Sequence, residues 1–223
     1  MPREGFSALD RALGRFAAWT AFIVNEAYAV VSGLGYLSLK FPADAIGEPY
    51  LSIMALLIVL MAPFLVITMV AVCAYAPSEH KSLAYAALAF MILLAGITSS
   101  VNFGLLIVSH ATDASTTPWG LLFLPYKWPA LAYAMDIFAW DWFFALSMLF
   151  AAPLFRQGRL EKAARFLMIV SALLCLLALF WLLVSPDQSI VIGILGWGVA
   201  SPVVFLLLAK IFGSAQPQAR RLT

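Results

Sequence analysis

The stretch Ala130–Pro153, ALAYAMDIFAWDWFFALSMLFAAP, decides what kind of chain this is. It is long enough to cross a bilayer core, which takes about 20 apolar residues at about 1.5 Å each. Yet it holds two aspartates, Asp136 and Asp141, and no lysine or arginine. At about 100° per residue, one broad helix face carries Asp136, Ser147, Trp140, Tyr133, Phe144 and Asp141. The opposite face carries Leu131, Met135, Phe138, Trp142, Leu146 and Leu149. A lipid-facing side and an acid-bearing side on one apolar helix predict a bundle that turns the acids inward.

Working outward, five further stretches have the same length and character: 17–39, 50–75, 83–109, 164–184 and 189–212. With 130–153 they predict an all-α polytopic fold, a six-transmembrane-helix bundle occupying 1–223 as a single transmembrane domain. Hydrophobic residues make up 64 % of the 223 positions and charged ones 11 %, against roughly 25 % in a soluble domain. The mean hydropathy is +0.99. Of the 13 lysines and arginines, only Lys40 and Lys127 fall in loops opposite the termini. The positive-inside rule therefore predicts an N-in/C-in membrane protein, and the membrane expected is the bacterial cytoplasmic (inner) one. The net charge of +2 marks topology and predicts no nucleic-acid partner. The first apolar run is too long for a cleavable signal peptide and reads as an anchor.

Before it, Phe6, Leu9, Leu13 and Phe16 recur at helical spacing among Arg3, Asp10, Arg11 and Arg15, predicting a short N-terminal interfacial helix. Pro63 and Pro202 can kink the second and sixth helices, and Gly193, Gly196, Gly198 and Ser201 permit close packing in the sixth. The fifth span is apolar all round apart from Ser171 and is expected on the lipid-facing outside. Loop 110–129 contains Trp119-Gly-Leu-Leu-Phe-Leu-Pro125 followed by Tyr126, Lys127 and Trp128. It is too short to span, so it either anchors at the interface or folds back over the bundle mouth. No convincing internal repeat is present, although three-plus-three spans permit an inverted one.

A third acid, Glu26, falls near the centre of the first span. A charged carboxylate there costs about 2.5–3.5 kcal/mol, so three acids without a base need protons, a bound cation or a watery cavity. Depth counting puts Glu26 and Asp141 near the midplane, with Asp136 and Asn102 nearer the outer surface and Ser99 and Ser100 between. Thr98, Ser99, Asn102 and Ser109 share one arc of the third helix. Glu26 shares a stripe with Trp19, Phe22 and Gly33, and Asn25 lies well round from it. The candidate ligand-binding set is therefore Asp136, Asp141, Glu26, Asn102, Trp140, Tyr133, Phe144 and Ser99. Asp141, Asp136 and Glu26 are the candidates should the chemistry be catalytic.

The segment Ala139-Trp-Asp-Trp-Phe-Phe144 adds aromatic faces that attract cations, more strongly where water is excluded. His80 and His110 sit in or beside loops, and Cys73 and Cys175 read as small buried hydrophobes, so no metal site or cofactor is predicted. Ser99-Ser-Val-Asn-Phe103, and Asp136 followed by Leu149-Phe-Ala-Ala-Pro-Leu-Phe155, resemble segments of uncharacterised bacterial multi-pass membrane proteins, a resemblance that implies no activity.

Three readings follow. The first is a protein that binds or transports a small lipophilic or cationic molecule through an outward-facing acidic and aromatic intramembrane pocket. The second is a membrane-embedded isomerase or cyclase using carboxyl general-acid catalysis on a lipid or terpenoid. The third is a non-catalytic sensor or assembly subunit. The partners expected are membrane lipid and that small ligand, with a homo-oligomer also allowed.

Overall fold

The computed structural model describes residues 6–41, 44–111 and 116–215, apart from the side chain of Asp187. Arg3, Arg220 and Arg221, used above for topology, lie outside them. Six helices are long and apolar enough to cross a membrane. They are α1 (Ala8–Leu37), α2 (Tyr50–Tyr75), α3 (Lys81–Ser109), α5 (Leu131–Leu154), α6 (Gly158–Trp181) and α7 (Gln188–Ser214). A short helix, α4 (Pro118–Phe123), lies in the loop before α5. No strand occurs among the described residues.

The expected interfacial helix is not a separate element. Ser7 and Asp10 form a reciprocal capping box, with Ser7 Oγ accepting from the Asp10 N–H at 3.1 Å and Asp10 accepting from the Ser7 N–H at 2.9 Å. The helix begins there and continues unbroken to Leu37, because nothing between interrupts its hydrogen bonding.

Each spanning helix packs on its neighbour in chain order, and α7 closes back on α1, so the six form a ring. The start of α1 and the end of α7 meet at one end of it, where Phe6 lies 6.0 Å from Phe212 and 5.4 Å from Tyr75, ring to ring; this is called the terminal end below. The opposite end carries α4 and is called the loop end below.

α6 departs from expectation. Rather than lying outside the bundle, it turns Ala164, Met168, Ser171, Ala172, Cys175 and Ala178 inward against α5 and α7. Small residues let helix backbones approach closely, which is the usual basis of association in lipid. The contact with α7 is close enough that a Cβ at Gly196 would sit 2.7 Å from Cys175 Sγ.

Two of the helices are not α-helical throughout. Ala139–Phe144 of α5 and Ile194–Ala200 of α7 are π-helical, a geometry frequent at functional sites. Side-chain hydroxyls and a side-chain amide bond to carbonyls of the α7 segment, one of which, Gly196 O, also accepts from the Ser201 N–H. Ser171 of α6 donates to Gly196 O at 2.7 Å. Ser201 donates to Trp197 O at 2.6 Å, and Asn25 of α1 reaches the same oxygen at 3.4 Å. In lipid, backbone carbonyls must find partners within the protein.

Candidate functional site

The two π-helical stretches face each other, with the rings of Trp140 and Trp197 6.0 Å apart. Asp136 and Asp141 are five residues apart, about 140° round a regular α-helix. Asp136 lies in the α-helical turn before the π segment and Asp141 within it, and both acids are buried in the ring of helices.

Asp136 is fully engaged. Its Oδ1 accepts from Thr98 Oγ1 at 2.5 Å and from Asn102 Nδ2 at 3.3 Å, and its Oδ2 accepts from the Tyr126 hydroxyl at 2.5 Å. Thr98 in turn accepts from Trp140 Nε1 at 3.2 Å, tying the network to the π segment. Every donor to Asp136 is a neutral side chain, and they come from α3 and the loop after α4.

Asp141 is differently placed. Its Oδ1 is buried without a hydrogen-bond partner among the described residues, as is Trp197 Nε1. Both atoms flank Gly193: a Cβ there would lie 3.0 Å from Trp197 Nε1 and 3.4 Å from Asp141 Oδ1. The Cys175 thiol stands beside the same carboxyl. Phe144 packs 5.6 Å from Trp140, and Tyr28 of α1 lies 6.2 Å from Trp197. One acid therefore has three donors, while the other keeps an unused oxygen among aromatic rings. Among the described residues no cationic side chain appears beside either.

The loop segment folds over the loop end. Thr117 caps α4, accepting from the Gly120 N–H at 3.0 Å, and Pro118 occupies the first turn, where its missing N–H costs nothing. Phe123 then packs where Gly104 leaves room, since a Cβ there would meet its ring at 2.7 Å. Tyr126 reaches down to Asp136 with its ring 5.4 Å from Tyr133. Trp119 and Trp128 stay exposed while Phe123 and Tyr126 pack on the bundle. Burial, then the negative charge of Asp136, push the Tyr126 phenol well above its usual range, which keeps it a hydrogen-bond donor.

The structure thus brings together Asp136, Asp141, Asn102, Trp140, Tyr133 and Phe144. Ser99 is half-buried beside this group, and Thr98 holds the bonding position. Glu26 is not brought in: it is exposed on the outward face of α1, while its neighbour Asn25 points into the bundle toward Trp197 and Ser201. Tyr126, Trp197, Gly193 and Cys175 were not singled out as site residues from the sequence. Tyr126 carried a signal as a loop aromatic, and Cys175 and Gly193 as small residues in apolar helices; Trp197 carried none. No group of three histidine, cysteine or acidic side chains poised for a metal occurs among the described residues.

These features define an all-helical chain built for a membrane, with two acids buried between its helices. Comparison with protein-family models, with curated proteins and with solved structures finds no match.

Proposed function

We propose that this protein binds, and carries across part of the bilayer, a small lipophilic or cationic molecule at Asp136 and Asp141. The loop end would face outward and both termini the cytoplasm, an orientation supported by the distribution of lysine and arginine, and the membrane would be a bacterial inner membrane. The observation that carries the reading is the pairing of two buried acids with no base beside them, one held by a loop tyrosine and the other with a free oxygen. An acid without a cationic partner in a dry interior is the place where a proton or an organic cation is held.

In this reading Tyr126 closes the outward side by donating to Asp136. Rotating it away would open Asp136 first and Asp141 next. Trp140, Phe144 and Trp197 would supply the faces on which an ammonium or an apolar body rests. Asn102, Ser99 and Tyr133 would line the approach. Toward the terminal end the polar chain stops: Ser147 is already bonded to Ala87 O at 2.8 Å, and Phe144 and Met148 are fully buried.

One observation favours the second reading, a carboxyl acid acting on a lipid or terpenoid. Asp141 Oδ1 has no partner and lies among aromatic rings that would stabilise a carbocation. Calorimetry in lipid nanodiscs with tetraphenylphosphonium, a lipophilic cation, and with an uncharged polyprene separates the two. Saturable cation binding that Asp141→Asn abolishes supports transport or binding. Conversion of the polyprene, lost in the same variant, supports the enzyme. If neither probe interacts with the wild type in an Asp141-dependent way, both readings fail. Orientation is checked by cysteine labelling: positions 157–162 should react only from the cytoplasmic side and position 117 only from outside.

A further inference from the structure

Glu26 lies where a carboxyl group is hardest to keep alone. Its neighbour Asn25 reaches Ser201 at 3.4 Å, and Ser201 is the middle residue of Gln188–Ser214, so Glu26 is at mid-depth. It is exposed. Of the helices packed on α1, α2 carries no charged residue and α7 only Lys210, far toward the terminal end. Among the described residues nothing pairs with it at that depth.

The surface around it is patterned. Leu9, Phe16, Ile23, Val30 and Leu37 recur every seventh residue and are between 58 and 85 % exposed. Ala12, Trp19, Glu26 and Gly33 recur every seventh residue between them, exposed except for half-buried Trp19. Alternating steps of three and four make a heptad seam along one side of α1, the pattern by which helices pack in pairs. Ile23 and Val30 are β-branched at one register; Ala12 and Gly33 are small at the other. Only 22 % of the apolar window of α1 is buried, the lowest share of the six spans.

We propose that this face of α1 docks a second copy of the chain, with Glu26 bonded to the partner's Glu26 across a two-fold axis along the bilayer normal. All copies insert in the same direction, so the paired α1 helices run parallel and equivalent residues meet at equal depth. A carboxyl group is self-complementary: with one proton between them, two carboxyls act as donor and acceptor and remove each other's exposure to lipid. A single polar pair in an apolar seam also sets the register, as buried polar residues do in coiled coils. A different protein at this face would have to bring its own polar group at mid-depth; the second copy brings one by construction. The proposal is independent of the ligand site, since Glu26 faces away from Asp136 and Asp141.

The test uses the full chain in lipid nanodiscs and micelles, counting subunits by single-molecule photobleaching across a lipid dilution series. The wild type should form dimers. Glu26→Gln should keep them, because paired amides are also donor and acceptor. Glu26→Leu should weaken association about tenfold, the scale of an interhelical hydrogen bond. Mixing Glu26→Lys with wild type should give mixed dimers in excess of either homodimer. With Cys73 and Cys175 replaced by alanine, Val30→Cys should cross-link copies and Phe103→Cys on exposed α3 should not. A monomeric wild type, dimers indifferent to Glu26→Leu, or cross-linking through α3 rather than α1 would each overturn the proposal. Capture of another protein by the monomeric chain would do the same.

Discussion

The terminal end and the loop end of the bundle each bury an acid against a tyrosine, and the two are built to opposite ends. At the terminal end Glu161 accepts from the Tyr75 hydroxyl at 2.6 Å and from the backbone N–H groups of Arg156 and Gln157 at 2.8 and 2.6 Å. Those backbone donors belong to the turn entering α6, so the carboxyl fixes the chain path between two spanning helices. At the loop end Asp136 takes donors from side chains alone, Thr98, Asn102 and Tyr126. A side-chain donor can rotate away without moving a helix; a backbone donor in a turn cannot. The first acid is a fixture and the second can be opened.

Substitutions can break this contrast. Glu161→Ala should have the largest effect on stability, about 3 kcal/mol in denaturant titration, because it strands two backbone donors and a phenol. Asp136→Asn should cost less, about 1–2 kcal/mol, since its donors can turn to other acceptors. If the two losses proved equal, the distinction between fixture and adjustable contact would be lost. Tyr126→Phe should cost about 1 kcal/mol, the worth of one hydrogen bond, while making the site more accessible to a cation from outside. Asn102→Ala should cost about 1 kcal/mol or less, typical of interhelical bonds in membranes.

The Tyr126 phenol sharpens the same contrast through pH. Its proton is held more tightly in the folded protein than in the unfolded chain, where it leaves near pH 10. The stabilisation it provides is therefore complete below about pH 10 and declines as pH rises above that. Tyrosinate absorbance, wild type minus Tyr126→Phe, should show a phenol that resists ionisation at pH 10 to 11. Ionisation at the ordinary pH would mean the tyrosine stands open to water.

The six spans were legible because bilayer thickness imposes a length on apolar runs, and the inward face of α5 because acids in such a run must avoid lipid. What the sequence hid has a common cause. In lipid an apolar residue suits a helix–helix contact and a lipid contact equally, so apolarity does not tell which side of α1 or α6 turns inward. Glu26 was grouped with the other acids for that reason, and α6 was placed outside although Ser171, Ala172 and Cys175 give it a small-residue face. The π segments were hidden too, since the side chains that bond the α7 segment, Ser171 and Asn25, come from residues distant in sequence. Loop 110–129 was readable as an anchor or as a cover; Tyr126 reaches Asp136 from it, while Trp119 stays exposed.

The most direct test of the central claim, that the carboxyl of Asp141, with its unpartnered Oδ1, is where the ligand is met, is infrared difference spectroscopy of the nanodisc-embedded protein with and without tetraphenylphosphonium. The wild type should lose a protonated carboxyl band when the cation binds, and Asp141→Asn should lack that change while Glu26→Gln retains it. A difference spectrum identical in wild type and Asp141→Asn would contradict the account and leave both buried acids as ties between helices.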